Sequence, residues 1–448
     1  MSRTSYHKSL SLLNPHVAGI DIGASSHWVA VPQDSDPQPV RCFSSFTQSL
    51  YQISSWLQQC HITSVVLEST GVYWIPLFEL LESQGFTVLL VDPRQLARCS
   101  GRPKTDVKDC QWLQRLHSYG LLAGAFRPQD SIVVLRSYLR QRANLISANS
   151  ENIQHIQKAL ELMNIKLTEV LSDITGVTGK LIIKSILDGE RDPFKLAALR
   201  DYRCQESKAT IALALQGNWR EEHLFLLRQS FQLYEFYLQQ IVACDHQIEH
   251  YLKTLPDLSG GVIPEGFSVR KNRKEDNRFS FNAQLGGFRL CGLDLTQIEG
   301  IKEQTALILL SEIGTDVSSF PTSKHFCSWL GLSPQHKISG GRILQRRFRR
   351  KPNRAAQALR LAARSLHRSK SAIGGYFRRM KIRLGTPKAI VATAHKLARL
   401  VYALLKHGVD YVKKSLEAEE KNYQERTFKS LEKKATELGF KLSPSTFS

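Results

Sequence analysis

The first hundred residues alternate short apolar runs with amphipathic patterns of helical period. HVAGIDIG (16–23) reads as a buried strand. HWVAVPQ (27–33) is its neighbour across a Gly23-Ala24-Ser25 turn, and VRCFSSF (40–46) is a third strand. Thr47 is placed to cap a helix over SLYQISSWLQQC, whose apolar residues recur at three- and four-residue steps. ITSVVLEST gives a fourth strand, WIPLFELLESQG a second helix stopped by Gly85, and FTVLLVDP a fifth strand. A hairpin-rich start followed by crossover units is an α/β layout.

From about Arg136 to Leu255 the pattern turns helical and strand-poor. Two long amphipathic stretches with shorter ones between them predict a coiled-coil or helical-hairpin arm, or a packed helical subdomain. Residues 256–290 mix Gly, Pro and charge, as a linker or irregular insertion does. LTQIEGIKEQTALILLSEIG (295–314) then has the helix, Gly300, helix pattern of a helix-hairpin-helix element, whose amides approach a phosphate backbone without reading bases. NRAAQALRLAARSLHRS and PKAIVATAHKLARLVYALLKHG are two further helices, the first with Arg along one side. The expected division is an α/β domain over 1–135, a helical region over 136–255, a linker over 256–290, a mostly helical basic domain over 291–410, and a polar tail over 411–448.

Composition sharpens this picture in one respect. Hydrophobic (42%) and charged (23%) contents are ordinary, but Lys and Arg number 61 against 40 Asp and Glu, a net +21. From Val317 to Val409 there is no Asp or Glu at all. A segment of one sign needs a polyanion opposite it; nucleic acid is the usual one, and an anionic membrane surface the alternative. No apolar run reaches the roughly 18 residues of a membrane span, and the start lacks a hydrophobic signal core. Eight scattered Cys without a C-x-x-C pair support neither a zinc ribbon nor a disulfide framework. These features lead us to expect a reduced cytoplasmic protein that does not engage membranes.

Candidate chemistry lies at both ends. Asp21 sits inside the first strand and Glu68 ends the fourth, each in an apolar run where a carboxylate is costly to desolvate without a compensating cation or proton. Asp106 and Asp109 share one face at the start of a helix, with Thr105 as its expected N-cap. Each acid alone has a plainer reading: Asp106 suits a helix dipole, and a D-x-G strand end can be the phosphate turn of an actin-like or sugar-kinase domain. Together they follow the strand, strand, helix order of an RNase H-like sheet, which gathers carboxylates to hold Mg²⁺ near a scissile phosphate. Far downstream, SPQHKISGGRILQRRFRRK places Ser339 beside Gly340 and Gly341 at the head of a basic run.

With these motifs the chain resembles the DEDD transposases of the IS-one-ten class of insertion sequences, recombinases guided by a bridge RNA and related to Piv-type DNA invertases. The resemblance rests on GIDIG (Asp21), LEST (Glu68) and KTDVKD (Asp106, Asp109), then on IEGI, FxxWLGLSP and the ISGG loop. It implies a RuvC-like domain in which Asp21, Glu68, Asp106 and Asp109 hold Mg²⁺, and a Ser339 hydroxyl that attacks a DNA phosphodiester to form a transient phosphoserine. Metal ions would answer both the weakness of an unactivated hydroxyl and the repulsion of the phosphate. Gly340 and Gly341 would let backbone approach the phosphate, and Arg342, Arg346 and Arg347 would stabilise transition-state charge. Gly300, Lys337, Arg349 and Arg350 complete the expected nucleic-acid contacts.

The implied partners are donor and target DNA, a bridge-type guide RNA and further copies of the chain. In a dimer or tetramer, different subunits would supply acids and serine, in the prokaryotic cytoplasm on the nucleoid. Three alternatives remain open: a RuvC-like junction endonuclease in which Ser339 only binds, a non-catalytic nucleic-acid scaffold, and a sugar-kinase-like ATPase. The last would need a second Gly-rich phosphate loop, which the helical middle does not offer, and there is no Walker-type loop.

Overall fold

A computed structural model describes residues 11–69, 71–93, 105–261, 267, 277–348 and 353–441. The chain forms two compact units, Met1–Arg127 and Pro128–Ser448.

The first unit is built on a five-stranded sheet of order β3-β2-β1-β4-β5. Its strands are β1 (Val17–Ile22), β2 (Ser26–Ala30), β3 (Val40–Ser44), β4 (Ser64–Glu68) and β5 (Thr87–Val91). The first three pair antiparallel, while β1–β4 and β4–β5 are parallel, joined through helices α1 (Thr47–Gln59) and α2 (Trp74–Ser83). This mixed order is that of RNase H-like sheets, and every strand falls where the alternation put it. Thr47 is already inside α1; the cap is Phe46, which makes no side-chain cap bond. Strand alternation sends Ala18, Ile20, Val65 and Leu67 to one face, where Ile53, Leu57, Leu77 and Leu81 of α1 and α2 cover them. Val66 and Val91 point to the opposite face and pack on Leu113 of α3 (Asp106–Ser118).

One position sets how α3 lies. A Cβ on Gly19 would stand 2.2 Å from the Gln114 nitrogen and 2.4 Å from the Cys110 carbonyl oxygen. The helix backbone therefore touches the strand backbone, and only hydrogen fits between them. The far end of α3 is tied down too. Leu13 and Asn14 donate backbone N–H groups to the Ser118 carbonyl, and His117 Nε2 lies 2.8 Å from Ser64 Oγ. The Ser64 hydroxyl donates its one proton to Thr87 O (3.1 Å), so the imidazole is the donor in that pair.

The second unit begins with an antiparallel hairpin of two long helices, α4 (Asp130–Leu162) and α9 (Glu221–Thr254). Between them come α5 (Leu167–Val170), α6 (Val177–Leu187), α7 (Pro193–Ala198) and α8 (Lys208–Ala214). These short helices close the far end over Ile156, Leu160, Ile183, Ile186, Leu227 and Phe231. The expected long amphipathic pair is thus a capped helical hairpin. Nearer its base, Arg142 (2% exposed) and Asp245 (1%) form an ion pair inside it. Arg142 also donates to the Arg278 carbonyl (2.8 Å), its guanidinium lies 4.1 Å over Phe279, and Asp245 accepts from Ser280 N (2.9 Å). Every charge is thereby answered, as burial requires.

Beyond it come α10 (Ala283–Cys291), α11 (Glu303–Ile313) and α12 (Ser323–Trp329). A strand pair follows, β6 (Pro334–Ser339) and β7 (Arg342–Phe348). The chain then continues through α13 (Arg354–Ser365), α14 (Ala372–Leu384), α15 (Thr386–His407) and α16 (Val409–Glu437). Glu312 of α11 takes a bidentate pair from Arg140 (2.8 and 2.9 Å), and Arg136 caps the Ser311 and Glu312 carbonyls, fastening α11 to α4.

Besides Thr47, three features differ from expectation. Ala283–Cys291 is helical within the stretch that reads as a linker. The helix-Gly300-helix pattern has only a 3-10 turn, Leu295–Gln297, as its first arm, because the Asp294 carboxylate takes the Thr296 N–H and hydroxyl into a local turn. The basic loop at Ser339 is instead a β-hairpin. Among the described residues no helix is long and apolar enough to cross a membrane, and seven cysteines are free thiols.

Gly19→Ala should destabilise the chain by about 3 kcal/mol or more, since both clashing atoms are backbone, measured by urea unfolding of the full chain. Arg142→Ala should cost about 3–5 kcal/mol by stranding Asp245, and a double Arg142→Met, Asp245→Leu change should cost less than Arg142→Ala alone. Burial lowers the His27 and His117 pKa values from the ordinary 6.5. The unfolded chain then binds more protons, so stability should fall as pH drops below about 6.5, and His117→Gln should flatten that fall in unfolding curves at successive pH values.

Candidate active site

The carboxylates of the first unit collect at one edge of its sheet. The last recorded pair between β1 and β4 is Ile20–Leu67, so Asp21 and Glu68 are the next residues on neighbouring parallel strands. Both share the parity of Gly19 and Val66, hence the face that α3 covers. Their backbones stand about 4.8 Å apart, the strand spacing, and two like charges that close repel unless a cation or proton is shared. Both are half-buried.

α3 supplies the remaining acids. Cys110 and Gln114 lie over Gly19, and Ser118 lies before β1, so the helix runs antiparallel to that strand. Its N-terminus therefore reaches the C-terminal edge where Asp21 and Glu68 sit. Thr105 is the N-cap, its hydroxyl accepting from Lys108 N at 3.3 Å, as the sequence predicts. Asp106 and Asp109 occupy the first turn, Asp106 exposed and Asp109 half-buried. Burial, with the charges of Asp21 and Asp109 adding to it, pushes the Cys110 thiol up to about 12. Asp21 and Asp109 are thus both within electrostatic reach of one side chain. The positive end of the α3 dipole also lies at this edge.

Hard oxygen donors on one face of one edge are the donor set of Mg²⁺. In their type and common face, the residues fit such an ion. They do not close around one point: among the described residues no three His, Cys, Asp or Glu side chains lie close enough to hold a metal. One carboxylate at this edge escaped the sequence reading. Asp92 follows β5 directly, beside Ser69, whose N–H and hydroxyl both bond Val91 O (3.0 and 2.9 Å). Its signal was the Asp near the end of FTVLLVDP, a stretch that reads simply as the fifth strand.

The second unit holds the hydroxyl. Ser339 ends β6, directly opposite Arg342, across a two-residue turn of Gly340 (φ 54°) and Gly341 (φ 74°). Positive φ at both central residues is the type I′ hairpin turn, which demands glycine although the space around both is open. Ser339 and Arg342 are both exposed. Along the strands His336 pairs with Arg346, Gln335 with Arg347, and Lys337 with Gln345. Arg349 and Arg350 lie outside the described residues. Gly300 has a packing reason to be glycine: a Cβ there would meet Leu366 Cγ at 3.0 Å and Ala362 O at 3.2 Å, on α13. The α13 helix buries Ala355, Ala356, Leu359, Ala362 and Ala363 and exposes Arg354 and Arg364, the one-sided arginine pattern expected.

Comparison with known proteins matches both ends. Residues 18–165 match a family described as a transposase of the DEDD, IS110 type, and residues 294–378 match the transposase IS116/IS110/IS902 family. An insertion element IS110 uncharacterized 43.6 kDa protein of Streptomyces coelicolor is 33% identical over 119 residues, 26% of this chain and 29% of that protein. The pilin gene-inverting protein of Moraxella lacunata is 22% identical over 306 residues, 66% of each chain. The chain thus spans less than two thirds of the length of these relatives. The first matched window contains all four acids at the sheet edge, and the second contains the Ser339 hairpin and α13. The chain belongs to the IS110 family of DEDD transposases, related to the pilin gene-inverting protein.

Proposed function

We propose that this protein is a site-specific DNA recombinase that cuts and rejoins strands by phosphoryl transfer. The observation that carries the reading is the placement of Asp21 and Glu68 one residue past the last β1–β4 pair, at the sheet edge reached by the acidic first turn of α3. In a RuvC-like centre of this kind, Asp21, Glu68, Asp106 and Asp109 would hold Mg²⁺, which when bound supplies Lewis-acid activation and neutralises phosphate charge. Ser339 Oγ attacks the phosphorus of a DNA strand. The P–Oγ bond forms as the bond to the leaving sugar oxygen breaks; the serine proton is released and the sugar oxygen takes one up. The phosphoserine keeps the energy of the broken bond, so a second strand's hydroxyl can reverse the step without ATP.

The hairpin suits this role. Its Gly-Gly turn leaves open space beside Ser339, and Arg342 stands directly opposite to meet developing charge. Lys337, Arg346, Arg347, Arg349, Arg350 and the Gly300 turn serve donor and target DNA. Acids and serine belong to different units of one chain, which accords with a homodimer or tetramer in which one subunit's serine serves another's acids. A structured guide RNA of the bridge type, as the family resemblance implies, would supply the choice of sequence.

Incubated with Mg²⁺ and a plasmid carrying the element's own ends, the wild type should nick and join. Ser339→Ala should abolish strand cleavage; retained nicking would make the protein a hydrolytic junction endonuclease. Asp21→Asn should lower cleavage by about 10²–10³-fold or more while nucleic-acid binding, measured by gel shift, persists. Equal loss of binding would make that acid structural.

A further inference from the structure

The net charge of +21 is confined to one stretch. Residues 317–409 carry twenty-one Lys and Arg and no acid, while the remaining chain carries forty of each sign. Within that stretch α14 and α15 meet at a single residue, Gly385, with φ +80°. The α14 helix buries Ile373, Gly374 and Phe377, all in its first half, and α15 begins to bury side chains only at Ala389. The eight residues between, Lys381 to Lys388, are all exposed. The two helices are therefore anchored at their far ends, and their elbow stands out from the unit's core.

The elbow's composition is not that of an ordinary solvated corner. Ile382 is 89% exposed and Leu384 37% exposed. A single surface aliphatic is normal on any protein. This one has Lys381 and Arg383 on either side and Lys388 across the turn, with no carboxylate in sequence for more than twenty residues in either direction. A protein partner at a helix pair would favour mixed charge, and a membrane surface would favour a broad apolar face rather than one aliphatic tip. An apolar side chain flanked by cations, on a protruding corner, is the arrangement with which DNA-bending proteins press into a base step while gripping the phosphates beside it. The second family window ends at residue 378, before the elbow.

We propose that the Lys381–Lys388 elbow is a wedge for duplex DNA, with Lys381, Arg383 and Lys388 on phosphates and Ile382 pressed between stacked base pairs. This rests on the reading of the chain as a DNA recombinase, for which it supplies a means of opening the duplex near the exchange point. The apolar wedge costs unstacking energy, and the flanking cations offset that cost through released counterions.

The test uses full-length Ser339→Ala protein, so that cleavage cannot interfere, and a short duplex with 2-aminopurine placed at successive steps. Binding should raise the fluorescence at one or two neighbouring steps. Ile382→Ser should abolish that rise and weaken binding about tenfold without changing its salt dependence, while Ile382→Leu should restore both. Lys381→Ala with Arg383→Ala should lower the slope of log affinity against log salt by about 2. Equal thermal unfolding of all variants shows the fold intact. A fluorescence rise that survives Ile382→Ser, or an unchanged salt slope, overturns the wedge while leaving the recombinase reading in place. Failure of the Ser339→Ala protein to bind the duplex at all overturns both. Ile382-dependent binding to phosphatidylserine vesicles without duplex unstacking would make the elbow a membrane contact instead.

Discussion

The contact between Gly19 and the α3 backbone is the constraint on which the candidate site depends. Any side chain at that position would push the helix off the sheet, because a Cβ would fall 2.2 Å from a backbone nitrogen. With hydrogen there, the helix lies flat on β1, and its N-terminus arrives at the edge where Asp21 and Glu68 end their strands. A partly apolar face of Val66, Val91 and Leu113 holds it in register. The site is thus a consequence of sheet packing rather than of a dedicated loop. Carboxylates would not gather at such an edge by themselves; the packing beneath them holds them there against their mutual repulsion, beside the positive end of the α3 dipole.

The second unit uses the opposite strategy. Its one fully buried charge pair, among the described residues, is Arg142 with Asp245, and both partners spend their remaining hydrogen bonds on the backbone of residues 278 and 280. That network ties the two long helices to each other and to the backbone of Arg278 and Ser280. Glu312 then links the same helix, α4, to α11 through Arg140 and Arg136. Internal acids are consumed in these joints. From Val317 to Val409 the chain carries Lys and Arg but no Asp or Glu, which suits a polyanion.

Much of this was legible in the sequence. The strand periodicity gave all five sheet strands, and Thr105 capped its helix as its position before Asp106 and Asp109 suggests. The long helices were evident from their repeats. What the periodicity could not show was set by tertiary contacts or by turn geometry. Thr47 does not cap α1 because the helix starts one residue earlier than the polar pattern suggests. The first arm of the Gly300 element is only a 3-10 turn because a local Asp294 bond competes with the helix. The Ser339 hairpin was hidden by its own charge: a Gly-Gly pair between two runs is a hairpin signal, but a basic strand lacks the apolar alternation that would announce it. Gly19 looks in sequence like any strand glycine, and its role emerges only once α3 is seen against it.

The proposed function requires that the sheet-edge carboxylates and the hairpin serine act on the same phosphorus. The most direct measurement is mass spectrometry of the protein recovered from a denatured cleavage reaction and digested with nuclease and protease. A nucleotide remnant should appear on the Ser339 peptide of the wild type, and none when Asp21 is replaced by Asn. A remnant mapped to another residue, no remnant under conditions that cleave DNA, or an undiminished Ser339 adduct in the Asp21→Asn protein would contradict it.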